Sequence, residues 1–415
     1  MNYVEQTRKK IPMKLYPFKQ SIYVPNKIEM GLFGLAYRQT GGFFEKPGER
    51  GTSHLLEHLM CKPFDDMREE LKALGINHNA YTSDNQVVFY FSGLTESLRE
   101  VCDELYNRIT KQAATPWTKE AFETEKNTVL QEYGDTFNSQ ESGFYYNLMR
   151  RHYDYCGAIG YKSDIESFSY EQSLIRSAEF TLPNIICQVG EEFVKIPKYV
   201  SSGMGDEFVK IPKYVSSGMG DGTFTDDIIM YASKNPPQLV FNSDYGMDLE
   251  PVPRDSKTIV GLLGNEPANI KDTQMMGFII NCINGGLESP LYDEIREKRG
   301  LSYYSAGEAV YVGERCLPMF FASTTDEHVV ELENIYKNFF DMDAKDVISQ
   351  ARFNTCKKAY AVKQRMADIL PHSGAQTTVL GDLNPFDGVS EFTYDMVLDK
   401  YNSLMRIENY IPVKY

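Results

Sequence analysis

Apolar and β-branched positions dominate Gln86 to Leu94, which reads Gln-Val-Val-Phe-Tyr-Phe-Ser-Gly-Leu, and give way to a helix-like pattern from Glu96 to Gln112. A short dense run predicts a strand, and the longer mixed pattern behind it predicts a helix. The same texture, β-rich segments alternating with long helical patterns, recurs in both halves of the chain, so an α+β or mixed α/β architecture is expected. Pro116-Trp117-Thr118 opens another long helical pattern, in which Glu125, Val129 and Glu132 fall at spacings of four and three and share one face.

Between the halves the pattern changes character. Glu192 to Asp206 reads Glu-Phe-Val-Lys-Ile-Pro-Lys-Tyr-Val-Ser-Ser-Gly-Met-Gly-Asp, and Glu207 to Asp221 repeats it without a change. Two copies of so short a unit cannot stack into a solenoid. The Gly, Ser and Pro content suits a linker, so the expected organisation is a domain over 1–190, a linker over 191–225 and a second domain over 226–415. Gly218, Gly220 and Gly222 have neither the spacing nor the strand-to-helix context of a dinucleotide fingerprint.

With 415 residues, 42% of them hydrophobic and 24% charged, the chain is long enough for two packed cores, and disorder and fibre are excluded. A net charge of -15 opposes phosphate neutralisation, so no nucleic-acid partner is expected. The longest strongly apolar stretch, Met275 to Ile283, is about half of the ~18 residues a membrane-spanning helix needs, so no membrane partner is expected either. Arg8, Lys9 and Lys10 precede no apolar h-region. The seven cysteines are scattered and contain no Cys-x-x-Cys pair, which reads as reduced thiols, and a cytoplasmic setting is expected. No phosphate loop of the Gly-x4-Gly-Lys type and no Ser/His/Asp arrangement stands out.

The chemistry concentrates at Gly51-Thr-Ser-His-Leu-Leu-Glu-His-Leu-Met60. Thr52 or Ser53 can cap a helix, after which His54, Glu57 and His58 project from one face. Two imidazoles one turn apart can share a metal, and the carboxylate beside them can hold and deprotonate a water, which is the His-x-x-Glu-His pattern of inverted zincins. A catalytic zinc needs a third protein ligand, and the acidic face carrying Glu125 and Glu132 offers one. A solvated helix face would also account for that pair of carboxylates.

These residues resemble the pitrilysin/insulinase family of zinc metallopeptidases, which includes the mitochondrial processing peptidases and bacterial relatives. The resemblance implies His54, His58 and Glu132 as ligands of one Zn2+ per chain, Glu57 as general base and Glu125 as a supporting acid. Leu74 to Ser83 is similar to the family's substrate-binding edge strand, implying that Asn79, Ala80, Tyr81 and Thr82 hold an extended peptide. Tyr155 to Gly160 with Ile165 is similar to a structural segment behind the ligand helix. Gly285 to Tyr303 resembles the signature of the family's second domain, which implies that Arg296 and Tyr303, seven residues apart, contact substrate. Two departures stand out: Met60-Cys61-Lys62-Pro63-Phe64-Asp65 replaces the family's usual continuation after the motif, and Pro290 interrupts the second signature.

The implied fold is α+β, two homologous sheet-plus-helices domains forming one half of a clamshell peptidase. Family enzymes need two halves, so a homodimer or a heterodimer with a related subunit is implied, acting on peptides or unfolded segments. A non-catalytic, structural subunit docked in a larger assembly is the competing expectation. Degenerate relatives tend to lose a ligand or the base, whereas His54, Glu57, His58 and Glu132 are all present.

Overall fold

The computed structural model describes residues 20–25, 29–112, 117–152, 156–180, 183–191, 193–194, 257–264, 270–312, 315–369 and 388–414. Apart from Phe193 and Val194, the duplicated segment lies outside the described residues, as does the expected boundary at 226. The described elements fall into two compact units, Gln20 to Gly190 together with Ala367 to Ile369, and Thr258 to Met366 together with residues 388–414.

The first unit is built on strands β1 (Gln20–Pro25), β2 (Met30–Arg38), β3 (Asn77–Thr82), β4 (Gln86–Leu94) and β5 (Ile185–Gly190), in the order β1-β5-β2-β4-β3. β1 runs parallel to β5 and the other pairings are antiparallel. The dense apolar run read from the sequence is β4, within the same limits. β2 and β4 lie inside the sheet and are buried almost throughout, which explains why they read as continuous rather than alternating apolar runs. Within one face Phe33 stacks on Phe91 at 6.4 Å, while Leu32, Ala36, Val88 and Cys187 pack together on the other. β3 lies at the sheet edge and is exposed or half-exposed along its length.

Four helices of this unit matter for the site: α1 (Thr52–Cys61), α2 (Thr95–Gln112), α3 (Lys119–Asn138) and α4 (Gln140–His152). α2 lies against β2 and β4, whereas α1 packs on α3 and β3. α3 begins where Pro116-Trp117-Thr118 opened the helical pattern, and Thr118 caps it by accepting a hydrogen bond from the Ala121 amide at 3.2 Å.

The second unit holds β6 (Thr258–Gly264), α5 (Ile270–Asn284), β7 (Ser305–Val312), β8 (Arg315–Thr324), α6 (Val329–Phe340), α7 (Gln350–Ile369) and β9 (Tyr410–Lys414). Its strand order is β7-β8-β6-β9, antiparallel throughout. Reading β6, β7, β8 and β9 for β2, β3, β4 and β5 reproduces the order of the first sheet, and α6 follows β8 as α2 follows β4. The expectation of two similar α+β domains is met at the level of topology. The Met275–Ile283 run falls in α5, where Phe278, Ile279, Cys282 and Ile283 are fully buried; it is apolar because a core surrounds it. Among the described residues no helix is long and apolar enough to cross a membrane. All seven cysteines are free thiols, six of them buried.

Candidate metal centre

α1 does not start in the way the sequence implied. Neither Thr52 nor Ser53 caps it; both lie inside the helix, and the N-cap is Gly51 at φ +92°. The orphan amides of the first turn are taken by a side chain from upstream: the buried Glu45 carboxylate accepts from the Gly51 amide at 2.6 Å and the Ser53 amide at 2.5 Å. Burial pushes the Glu45 carboxyl up, and the Arg176 charge with these donors opposes it. Arg176 hydrogen-bonds the hydroxyls of Thr52 and, at 3.1 Å, of Ser53, and pairs with Glu179 at 2.9 Å. Gly160, at φ +65°, lies so close to Gly51 that a Cβ there would stand 2.2 Å from the Gly51 backbone. The segment read as structural thus fixes where α1 begins.

From that start the helix brings His54, Glu57 and His58 to one side. α3 supplies Glu132 opposite them: His54 Nε2 lies 3.2 Å from His58 Nε2 and 3.4 Å from Glu132 Oε2, and His58 Nε2 lies 3.7 Å from Glu132 Oε1. One ligand atom from each of the three residues falls within 4.8 Å of the others. Among the described residues this is the only group of three or more His, Cys, Asp and Glu side chains so gathered.

The donors fit a metal chemically. Burial, reinforced by the neighbouring His58, holds the His54 pKa down to about 4, so its imidazole is neutral near pH 7 and keeps a lone pair to donate. His58 Nδ1 is 3.1 Å from Glu125 Oε2; a proton on Nδ1 donated to that carboxylate leaves Nε2 as the lone-pair nitrogen facing His54 and Glu132. Glu125 is buried and its other oxygen is paired with Lys62. The altered loop after the motif therefore has a structural consequence: it folds as a short 3-10 helix, Lys62–Met67, in which Phe64 packs edge-on to Phe91 at 5.3 Å and Lys62 holds Glu125.

Glu57 is buried beside this cluster. Its Oε2 accepts a hydrogen bond from Thr82 Oγ1 on β3 at 2.6 Å, and burial raises its pKa to about 7 against that bond. Asn79 and Ala80 join Glu57, His58 and Glu125 in lining a cavity of about 300 Å³. Tyr81 packs towards the sheet, 6.5 Å from the Tyr90 ring. His78 is paired with Phe91 inside β3.

In the second unit, Arg296 and Tyr303 are brought together: the guanidinium sits 4.5 Å from the Tyr303 ring centroid and 5.3 Å from that of Tyr292, whose hydroxyl it also contacts. Tyr303 is 77% exposed, so the pair faces outward. Pro290, the departure from the family's second signature, occupies the first position of a helical turn after Ser289, where its missing N–H costs nothing. Glu45, Lys62, Arg176 and Tyr292 carry no local sequence signal for these roles.

Residues 37–154 match the family described as Insulinase (Peptidase family M16), and residues 231–360 match that family's second domain, the Peptidase M16 inactive domain. The chain belongs to the insulinase family, peptidase family M16. An uncharacterized zinc protease of Rickettsia bellii is 24% identical over 370 residues, covering 83% of this chain and 81% of that protein. Among solved insulinase-like folds, a protease from Helicobacter pylori superposes with a TM-score of 0.68 at 15% identity, covering 95% of this chain and 96% of that one. The periplasmic protease PqqL from Escherichia coli gives 0.58 at 12% identity, with 95% of this chain covering 46% of that one. The chain spans about half the length of PqqL.

Proposed function

We propose that this M16 chain is a zinc-dependent endopeptidase that cleaves extended peptides or unfolded segments and works as a dimer, with itself or with a related half. The observation that carries the reading is the convergence of His54 Nε2, His58 Nε2 and a Glu132 carboxylate oxygen within 4.8 Å, with the Glu57 carboxylate alongside. Zinc held there would supply Lewis-acid polarisation of a carbonyl and a lowered water pKa. Glu57 takes the proton of the attacking water and returns it to the leaving amine; the Thr82 hydroxyl, by occupying Oε2, leaves Oε1 for that work. The edge position of β3 and its exposed to half-exposed residues support an extended peptide adding there as a further strand, with Asn79 to Thr82 as its docking strand. Arg296 and Tyr303 are the proposed donors to the negative charge that develops on the substrate. A purely structural subunit is disfavoured by the unbroken ligand set and base.

The test is metal analysis of purified protein by mass spectrometry together with cleavage of a quenched fluorescent peptide library. One zinc per chain is expected, with hydrolysis lost on chelation and restored by added zinc. Protein that cleaves equally well after complete chelation, or that takes up no zinc, overturns the proposal. Because Glu125 fixes His58 from behind, Glu125→Gln is expected to weaken zinc binding by roughly 10–100-fold, read by competition with a chromogenic chelator. Unchanged affinity would show that Glu125 does not support the ligand.

A further inference from the structure

The cavity beside Glu57 and His58 extends beyond the ligand cluster, past Phe89 and Phe91 to Arg68 and His78. A second hollow of about 300 Å³ shares Arg68 and His78 and is completed by Lys72, Gly75, Ile76 and Asn77. Three of those six residues carry nitrogen cations or can, and none is acidic. Arg68 and Lys72 stand at i and i+4 of the helix Arg68–Ala73 and so share a face, while the exposed Glu69 and Glu70 do not line the hollow. Asp65, which lines the adjoining cavity, is shared between two cations: it accepts from Arg68 at 2.7 Å and pairs with Lys62 at 3.4 Å. The positive charge is felt locally, since burial and then the Arg68 charge lower the proton affinity of His78. In a chain of net charge -15, this is a cationic place beside the proposed reaction centre.

β3 joins the two ends of this surface. Thr82 touches the base, and His78, four residues earlier on the same strand, lines the cationic hollow. A peptide paired along β3 advances about 3.3 Å per residue, so the hollow lies roughly 13 Å from the base along the peptide.

We propose that Arg68, Lys72 and His78 form a carboxylate-binding subsite that engages an acidic side chain or the free C-terminal carboxylate of a bound peptide, about four residues from the bond to be cut. This rests on the peptidase reading for its direction along β3, but its test does not depend on turnover.

The experiment measures the affinity of the full-length, zinc-supplemented protein for fluorescein-labelled decapeptides of one sequence in four forms: Glu or Gln at internal positions, each with a free or amidated C-terminus. Glu57→Gln protein is used for anisotropy so that cleavage does not intervene. The Glu or free-acid forms are expected to bind about fivefold more tightly than the neutral form, with the preference collapsing in R68Q/K72Q and in 0.5 M salt. A preference that follows Glu assigns the site to acidic side chains, and one that follows the free terminus assigns it to C-terminal carboxylates. Equal affinities for all four peptides, no binding of any, or a preference that survives both R68Q/K72Q and the exposed single variant K72E overturns the subsite. If the preference is present but wild-type protein cleaves no peptide, the subsite stands and the peptidase reading falls.

Discussion

Glu57→Gln is expected to lower peptide hydrolysis by about a thousandfold or more while the protein still binds one zinc per chain, because positioned proton transfer contributes about 10²–10⁴ in rate. The substitution is close to isosteric. A Gln carbonyl at this position can still accept the Thr82 hydroxyl, so the side chain keeps its place between α1 and β3. What it loses is the ability to take a proton and give it back. Folding should not suffer: the carboxyl is buried, and burial is the main reason its pKa lies near 7, so a neutral amide avoids that desolvation cost. Thermal unfolding and metal content measured beside kcat therefore separate the base from a ligand. A variant that keeps activity within tenfold of wild type would remove Glu57 from the mechanism.

The second large effect is on stability and comes from a residue far from any chemistry. Gly160→Ala is expected to destabilise the protein by about 3 kcal/mol or more, from roughly 1–2 kcal/mol for a Cβ at positive φ together with overpacking against Gly51. The contact is backbone on backbone, 2.2 Å from Gly51 N and Cα, so no side chain can turn aside to relieve it. Nor can Gly160 move readily. Its carbonyl accepts from buried Arg150, whose guanidinium stacks on Phe137 at 4.6 Å and Tyr161 at 4.8 Å. The strain must then pass into Gly51 and the first turn of α1, three residues before His54. A fall in Tm of about 6–12 °C is expected from ~3 kcal/mol in a domain of this size, accompanied by weaker zinc binding. A Tm within 1–2 °C of wild type would mean that the Gly51–Gly160 contact is not held tightly.

What could be read in the sequence and what could not divides along the range of the interactions. β4 and the helix after it were legible to within a residue because their signals are local: an apolar run, then a helical period. His54, Glu57 and His58 were legible as a group because helical spacing alone puts them on one face. Glu132 needed more, since nothing local distinguishes a ligand from a solvated glutamate, and only the family resemblance joined it to the motif. Glu45 carries no local signal, and Thr52 or Ser53 reads as a cap, because the first turn of α1 is satisfied by tertiary approach rather than by its own first residues. Lys62 was noticed only as a departure from the family pattern. Its pairing with Glu125 depends on how α1 and α3 pack, which no short window of sequence encodes. Pro290 stands out in the sequence only as a departure from the family pattern; its local meaning, the first position of a helical turn, is legible without the fold.

The exposed edge of β3 has one further implication. A strand offers its outward amides and carbonyls at every second residue, and a partner displaced by one residue must turn all its side chains over. Under the proposed peptidase function, a peptide shifted along that edge would re-seat in equivalent fashion only after moving two places. The edge would then meter a substrate in dipeptides, so fragments from one long substrate are expected to differ in length by even numbers of residues.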